Sequence, residues 1–475
     1  MRRTYSLAAS VALLLLGQHA GLTAQNLLVH GGTVVTSEGS FEADVLVRAG
    51  VIAAVGRDLS AESGVRRIDA SGLLVLPGGV DPHVHLGGRW VDDYRTGSMA
   101  ALAGGITTIS NFASAGRGSD LTEVIDRQAA LIAQQAIADV ILHTTINDPE
   151  AHAPQMGALA ATGQTSIKIF MNFGSFDPNA SAFLQVIAAA GDAGVLTMIH
   201  AEDASILANQ AAELEAQGRT SVAYQPEARP ALAEEVAMMR AVAMAEQTGS
   251  PVYAVHVSSE RALRVAQAAR ARGLPFFIET RPIYLHLTRE RFDGPDAGLY
   301  VGQPPLREQS DQDALWEALA NGTIDVVGTD HVAYSREDKL DPSQTITNHR
   351  AGMNHLQMLR PLLFSDGVLA GRISVERFVE VTATNPAKLF GIFPEKGTIA
   401  VGSDADLVLW DPEETRTVRD QDMFSATGFS IYAGWEVTGW PVVTLRRGEV
   451  VFEGGEITGQ AGTGRLLERS RWEER

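Results

Sequence analysis

Hydrophobic and polar positions follow two different rhythms along this chain. Near its start, Leu27-Leu28-Val29, Gly32-Thr33-Val34-Val35, Ala43-Asp44-Val45-Leu46-Val47 and Val51-Ile52-Ala53-Ala54-Val55 are short apolar runs separated by glycine-containing turns. That texture predicts a small β unit. It returns near the end, in Ala405-Asp406-Leu407-Val408-Leu409-Trp410, Pro441-Val442-Val443-Thr444-Leu445 and Val450-Val451-Phe452. The economical reading is one β-sandwich domain built from both chain ends, residues 25–76 and 396–460, around an insertion at 77–395. Two separate small β domains are the alternative.

The insertion alternates strands with helices. Its eight apolar strand candidates are 74–81, 106–112, 140–143, 166–171, 195–200, 252–256, 275–279 and 324–330. Helical patterns lie between most of them. Asp120-Leu121-Thr122-Glu123 looks like a capped helix start, and Asn385-Pro386 reads as an N-cap and first-turn proline before a stop at Gly391. Eight β/α units over about 320 residues predict a (β/α)8 TIM barrel. A doubly wound open sheet is the competitor. Polar residues at the C-terminal ends of several strands favour the barrel, which keeps its chemistry there.

Composition narrows the function classes. An apolar fraction of 45% over 475 residues supports a large core, and a formal charge of −19 argues against nucleic acid or an anionic membrane as partner. Met1-Arg2-Arg3, the apolar run 7–16 and Leu22-Thr23-Ala24-Gln25 form a secretory signal pattern with cleavage expected after Ala24. The product would be secreted or periplasmic. An uncleaved anchor is the alternative, but the run is shorter than the ~20 residues that a membrane span needs. There is no cysteine, so thiol nucleophiles, thiolate ligands and iron–sulfur chemistry are excluded. Any metal must sit on nitrogen and oxygen.

The candidate chemistry gathers at strand ends: His83 and His85 in Asp81-Pro82-His83-Val84-His85, then Lys168, His200, His256 and Asp330. Paired imidazoles at alternate positions can share one metal ion. Lys168 is unusual, because an ammonium inside Ser166-Ile167-Lys168-Ile169-Phe170-Met171 needs a partner or neutralisation. It is either paired with a buried acid or carboxylated on Nζ. His143 and His331 are read as core or supporting residues, and His286, His349 and His355 as loop or helix residues.

These motifs, with His200-Ala201-Glu202, Val255-His256-Val257-Ser258, Gly328-Thr329-Asp330-His331, Pro304-Pro305-Leu306-Arg307 and the closing 397–406 segment, resemble the amidohydrolase superfamily, in its hydantoinase/dihydropyrimidinase branch. The resemblance implies two divalent metal ions, zinc or else manganese. His83, His85 and Asp330 would hold one, and His200 and His256 the other. Lys168, N6-carboxylated, would bridge them. It further implies a metal-bridging hydroxide that opens a cyclic amide or ureide, with Asp330 as the proton carrier, in a homo-oligomer, dimer or tetramer. Residues 461–475 would form a tail, solvated or contributing to subunit contacts.

Some positions depart from the family. Phe173 stands where hydantoinases place a substrate-binding tyrosine, so Tyr94 or Asn172 is a candidate replacement donor. Gln303 stands where a small serine is usual. Asn348 matches a ring-contacting asparagine, and the loop 86–94 is short. An allantoinase, or a hydrolase of acyclic N-acyl amino acids or isopeptides, therefore stays open. Gly87 replaces the arginine of dihydroorotases, and the full ligand set argues against a non-catalytic relative.

Overall fold

In the computed structural model, which describes residues 26–60 and 64–472, the two β-rich ends meet in one mixed sheet of nine strands. Leu74–Pro77 is the join. It runs parallel to Leu27–Thr36 on one side and antiparallel to Leu407–Thr417 on the other. Successive strand residues point to opposite faces, so Val75 enters the sandwich core with Val29, Val45, Leu407 and Leu409, while Leu76 joins the core around the barrel. Burial on both faces explains the unbroken apolar run.

The strand expected over 74–81 is thus two strands. It divides at Gly78, whose N–H bonds the Asp406 carbonyl at 2.8 Å. A side chain there would overlap Thr107, since a Cβ would lie 2.1 Å from its Oγ1. Beyond the division, Gly79–Asp81, Ile106–Ser114, Asp139–Thr145, Ser166–Phe170, Leu196–His200, Val252–Ala254, Phe276–Thr280 and Val326–Val327 pair in sequence order, all parallel. The molecule is a (β/α)8 barrel with a β-sandwich made from both ends.

The barrel closes at an unusual seam. Its last and first strands pair only through His331–Val332 and Val84–His85. Below that, the Asp81 carboxylate bridges the gap, accepting from Thr329 N (3.1 Å), Thr329 Oγ1 (2.6 Å) and His83 N (3.1 Å). Inside, Val80, Phe112, Ile141, Met198, Tyr253 and Phe390 pack in layers.

The far end of the barrel is plugged. Leu467 joins the interior cluster, and Arg469 donates to Ser166 Oγ at 2.8 Å and the Leu142 carbonyl at 2.6 Å. The Trp472 ring lies 5.1 Å from Phe277. Residues 464–472 of the expected tail are therefore packed against the barrel rather than solvated. Nearby, the buried Lys396 ammonium contacts Asp139 at 2.7 Å and Asp404 and Asp406 at 2.9 Å each, and Arg447 also pairs with Asp139. This cluster ties the barrel to the sandwich.

Asn385 is not an N-cap. The helical path begins at Ser374, which caps Arg377 N at 3.1 Å, and runs on through Asn385 with a π-helical stretch at Glu380–Thr384. The expected signal segment, residues 1–24, lies outside the described residues. No helix among the described residues is long and apolar enough to cross a membrane.

Candidate metal centre

Strand alternation builds the site. In Ser166–Phe170, Ile167 and Ile169 enter the outer core, which turns Lys168 to the barrel interior. His200 ends the next strand, His256 follows Val252–Ala254, and Asp330 follows Val326–Val327. His83, His85 and Asp330 each present a ligand atom within 4.8 Å of the others. Asp330 Oδ1 lies 3.2 Å from His83 Nε2 and 3.0 Å from His85 Nε2. The His200 and His256 rings meet edge to face at 4.4 Å. His256 and Asp330 both adopt left-handed backbone, with φ of 44° and 48°, a conformation that costs about 1–3 kcal/mol and clusters at functional sites.

Three buried side chains that the sequence reading passed over hold these groups in place. Glu279 receives His83 Nδ1 at 2.7 Å, the His256 backbone N–H at 2.9 Å and the Tyr253 hydroxyl at 2.9 Å. With Nδ1–H directed at Glu279, the lone pair on His83 Nε2 faces the cluster. Glu202 does the same for His200, at 2.7 Å from its Nε2, and is itself clamped by Arg229. Arg281 lies 3.2 Å from Asp330 Oδ2 and donates to the Thr329 carbonyl at 2.8 Å. The available signal was an acid closing an apolar strand or lying two residues past a strand-end histidine. Nothing in the local pattern around Arg281 pointed to Asp330.

Burial sets the protonation states. Desolvation lowers all four histidines, leaving them neutral and able to act as ligands. It pulls the Lys168 amine down to about 7 and pushes Glu279 up to about 7. Burial alone would also raise Asp330, but His83, Arg281 and His85 outweigh it and hold the carboxyl well below its usual range. Lys168 Nζ is fully buried and has no hydrogen-bond partner among the described residues. It sits 5.4 Å from the Phe112 ring and 5.1 Å from the Phe170 ring. An all-N/O set of neutral imidazoles, one carboxylate and one orphaned amine fits two divalent cations with a carboxylated lysine between them.

The cluster floors a cavity of roughly 270 Å³ whose walls include Arg89, Trp90, Asn147, Phe170, Phe173 and Gln303. Phe173 is 52% exposed at its mouth. Gln303 is held between His349 Nε2 at 3.0 Å and Asn172 Nδ2 at 3.4 Å. The placement of Asn348 differs from expectation: it is exposed on the surface segment after the last barrel strand and does not line the cavity. Its neighbour His349 reaches the cavity wall instead, through Gln303. Tyr94 cannot replace the missing donor, because its hydroxyl is buried against Gln128 Oε1 at 2.7 Å. Asn172 does line the cavity, with one N–H of its amide directed at Gln303 Oε1. His143 bridges Ser166 Oγ and the Pro82 carbonyl, and His331 binds Asp92 at 2.9 Å. Both are supports.

A family model described as "Amidohydrolase family" matches residues 74–451. A D-hydantoinase of Ralstonia pickettii is 35% identical over 462 residues, covering 94% of this chain and 100% of that protein. Among solved structures, a D-hydantoinase from Bacillus sp. AR9 superposes with a TM-score of 0.90 at 36% identity, covering 94% of this chain and 99% of its own. An L-hydantoinase (dihydropyrimidinase) from Arthrobacter aurescens gives 0.87 at 31% identity, covering 94% and 100%.

Proposed function

The chain belongs to the amidohydrolase family, and from that premise we propose that it hydrolyses a cyclic amide or ureide of the hydantoin or dihydropyrimidine type. Lys168 carries the reading: a buried amine with no hydrogen-bond partner among the described residues, set among four imidazoles and a carboxylate. An amine held near 7 is substantially neutral at physiological pH. Its attack on carbon dioxide forms an N–C bond, releases a proton and leaves a carbamate. That group would be shared by two cations, one held by His83, His85 and Asp330 and the other by His200 and His256.

Zinc is the cation proposed, with manganese as the alternative for this donor set. Bound there, the pair would polarise the scissile carbonyl and supply a nucleophile from water near neutral pH. Asp330 stays ionised and is oriented by Arg281. It takes the proton of the attacking water and returns it to the leaving ring nitrogen as the C–O bond forms and the C–N bond breaks. A cavity of roughly 270 Å³ suits one small ring.

The test is hydrolysis by zinc- or manganese-loaded protein of dihydrouracil, hydantoin, both enantiomers of 5-substituted hydantoins, allantoin and N-acyl-D-amino acids. Lys168→Ala is the control, expected to lose bound metal and more than about 100-fold in rate. Turnover confined to N-acyl amino acids would support the acyclic alternative, which Phe173 favours because it offers the substrate carbonyl no donor. Protein that neither binds metal nor turns over any of these compounds would refute the enzyme reading.

Two further expectations join this proposal. Residues 1–24 export the chain, read out by the N-terminus of protein recovered outside the cytoplasm. The mature protein is a dimer or tetramer, read out by light scattering.

A further inference from the structure

A chain of hydrogen bonds runs from the plugged end of the barrel to the metal-site histidines. Arg469, 5% exposed, donates from its guanidinium to Ser166 Oγ at 2.8 Å and to the Leu142 carbonyl at 2.6 Å. Ser166 Oγ lies 2.6 Å from His143 Nδ1, and His143 Nε2 lies 2.9 Å from the Pro82 carbonyl. Pro82 directly precedes His83. A carbonyl can only accept, so His143 Nε2 carries the proton. Burial first, then the Arg469 charge, keep the ring neutral, which leaves a lone pair on Nδ1. The Ser166 hydroxyl therefore donates to Nδ1, and its oxygen receives Arg469. Every link has one direction.

The plug is docked by backbone bonds of its own. Val140 N bonds the Arg465 carbonyl at 2.8 Å, Leu467 N the Val140 carbonyl at 2.8 Å, Arg469 N the Gly163 carbonyl at 3.0 Å and Trp472 N the Gly194 carbonyl at 2.8 Å. None of these uses the Arg469 side chain. At the other end, the His143 ring lies 5.2 Å from Phe112, whose own ring stacks on His85 at 4.4 Å. Ser166 also shares a strand face with Lys168, two residues on. The chain thus touches the supports of three candidate ligands.

Resting on the metal-centre reading, we propose that Arg469 is a positioning residue for that centre. It acts through Ser166 and His143 to fix the Pro82–His83 peptide, so the C-terminal plug sets metal affinity from the opposite end of the barrel.

The experiment measures zinc affinity by competition with a chelator, at a temperature where each variant is folded. Arg469→Met removes both side-chain links, and Ser166→Ala breaks the chain at its middle while leaving the plug's backbone bonds in place. Each should weaken one of the two zinc affinities about tenfold. Arg469→Met should add little once Ser166→Ala is present, because both act along one path. Losses that add in full overturn the link through Ser166. Unchanged affinity in either variant overturns it too, and a lowered thermal midpoint beside unchanged affinity makes the plug purely structural. Should Arg469→Met fail to fold, Ser166→Ala decides alone. If the unaltered protein binds no zinc, the metal-centre reading falls, and hydrogen exchange in metal-free protein decides the link. Faster exchange at residues 83–86 in both variants keeps the link, and unchanged exchange there overturns it as well.

Discussion

Glu279 is the residue on which most of the site depends, because one carboxylate orients His83, fixes the His256 backbone and receives Tyr253. Glu279→Gln keeps the shape but cannot accept from all three donors. We expect metal affinity to fall about 10–100-fold, measured by competition with a chelator. Unchanged affinity would mean that the imidazoles orient themselves. The candidate ligands were legible in sequence because His83, His85, Lys168, His200, His256 and Asp330 each interrupt or close an apolar strand. Glu279, Glu202 and Arg281 were not, since a buried acid or base is recognised by a partner distant in sequence. Asn348 misled for a related reason. Motif position put it near the substrate, but only the fold decides which of two adjacent residues faces inward, and it chose His349.

At the level of elements, the barrel strands were readable because burial on both faces leaves unbroken apolar runs. Their closure was not. The seam consists of a two-residue ladder and the Asp81 carboxylate, and neither has a periodicity to detect. Asp81→Ala would strand the Thr329 N–H and the His83 N–H without an acceptor, and leave the Thr329 hydroxyl only the His83 carbonyl at 3.3 Å. At about 1 kcal/mol or more for each stranded N–H, denaturant unfolding should show a loss of roughly 2 kcal/mol or more. Asp81→Asn, which keeps one acceptor oxygen, should recover part of it. A midpoint unmoved in Asp81→Ala would show that the backbone ladder closes the barrel unaided.

At the level of the whole molecule, Lys396 joins the barrel strand that starts at Asp139 to the sandwich strand that follows Asp406. Burial alone would raise Asp139, but Lys396, Arg447 and Arg446 outweigh it and hold the carboxyl below its usual range. Lys396 is raised: burial opposes this, but Asp139, Asp406 and Asp404 prevail. Asp404 goes up through burial, which Asp406 and Asp139 reinforce and Lys396 opposes. The depressed Asp139 contributes stability above the unfolded carboxyl value near ~4 and loses it as pH falls further. The raised Lys396 keeps its share until pH passes the unfolded lysine value near ~10.4. The stability that Asp139 lends should therefore be lost as pH falls below about 4, read as a drop in the thermal midpoint there. Lys396→Met should lose about 3–5 kcal/mol at pH 7 and regain part of it on acidification, as the crowded carboxylates take up protons. A variant whose midpoint follows the unaltered profile would contradict this account.

The sheet shared by both chain ends also sets a timetable for synthesis. Leu74–Pro77 leaves the ribosome more than three hundred residues ahead of Leu407–Thr417, the strand that covers its free edge. The barrel plug at 464–472 comes later still. Through most of translation, the nascent chain therefore carries a bare apolar edge and an unstoppered barrel, features that invite association with other chains. The shared sheet and the barrel plug are therefore completed only near the end of synthesis or after release.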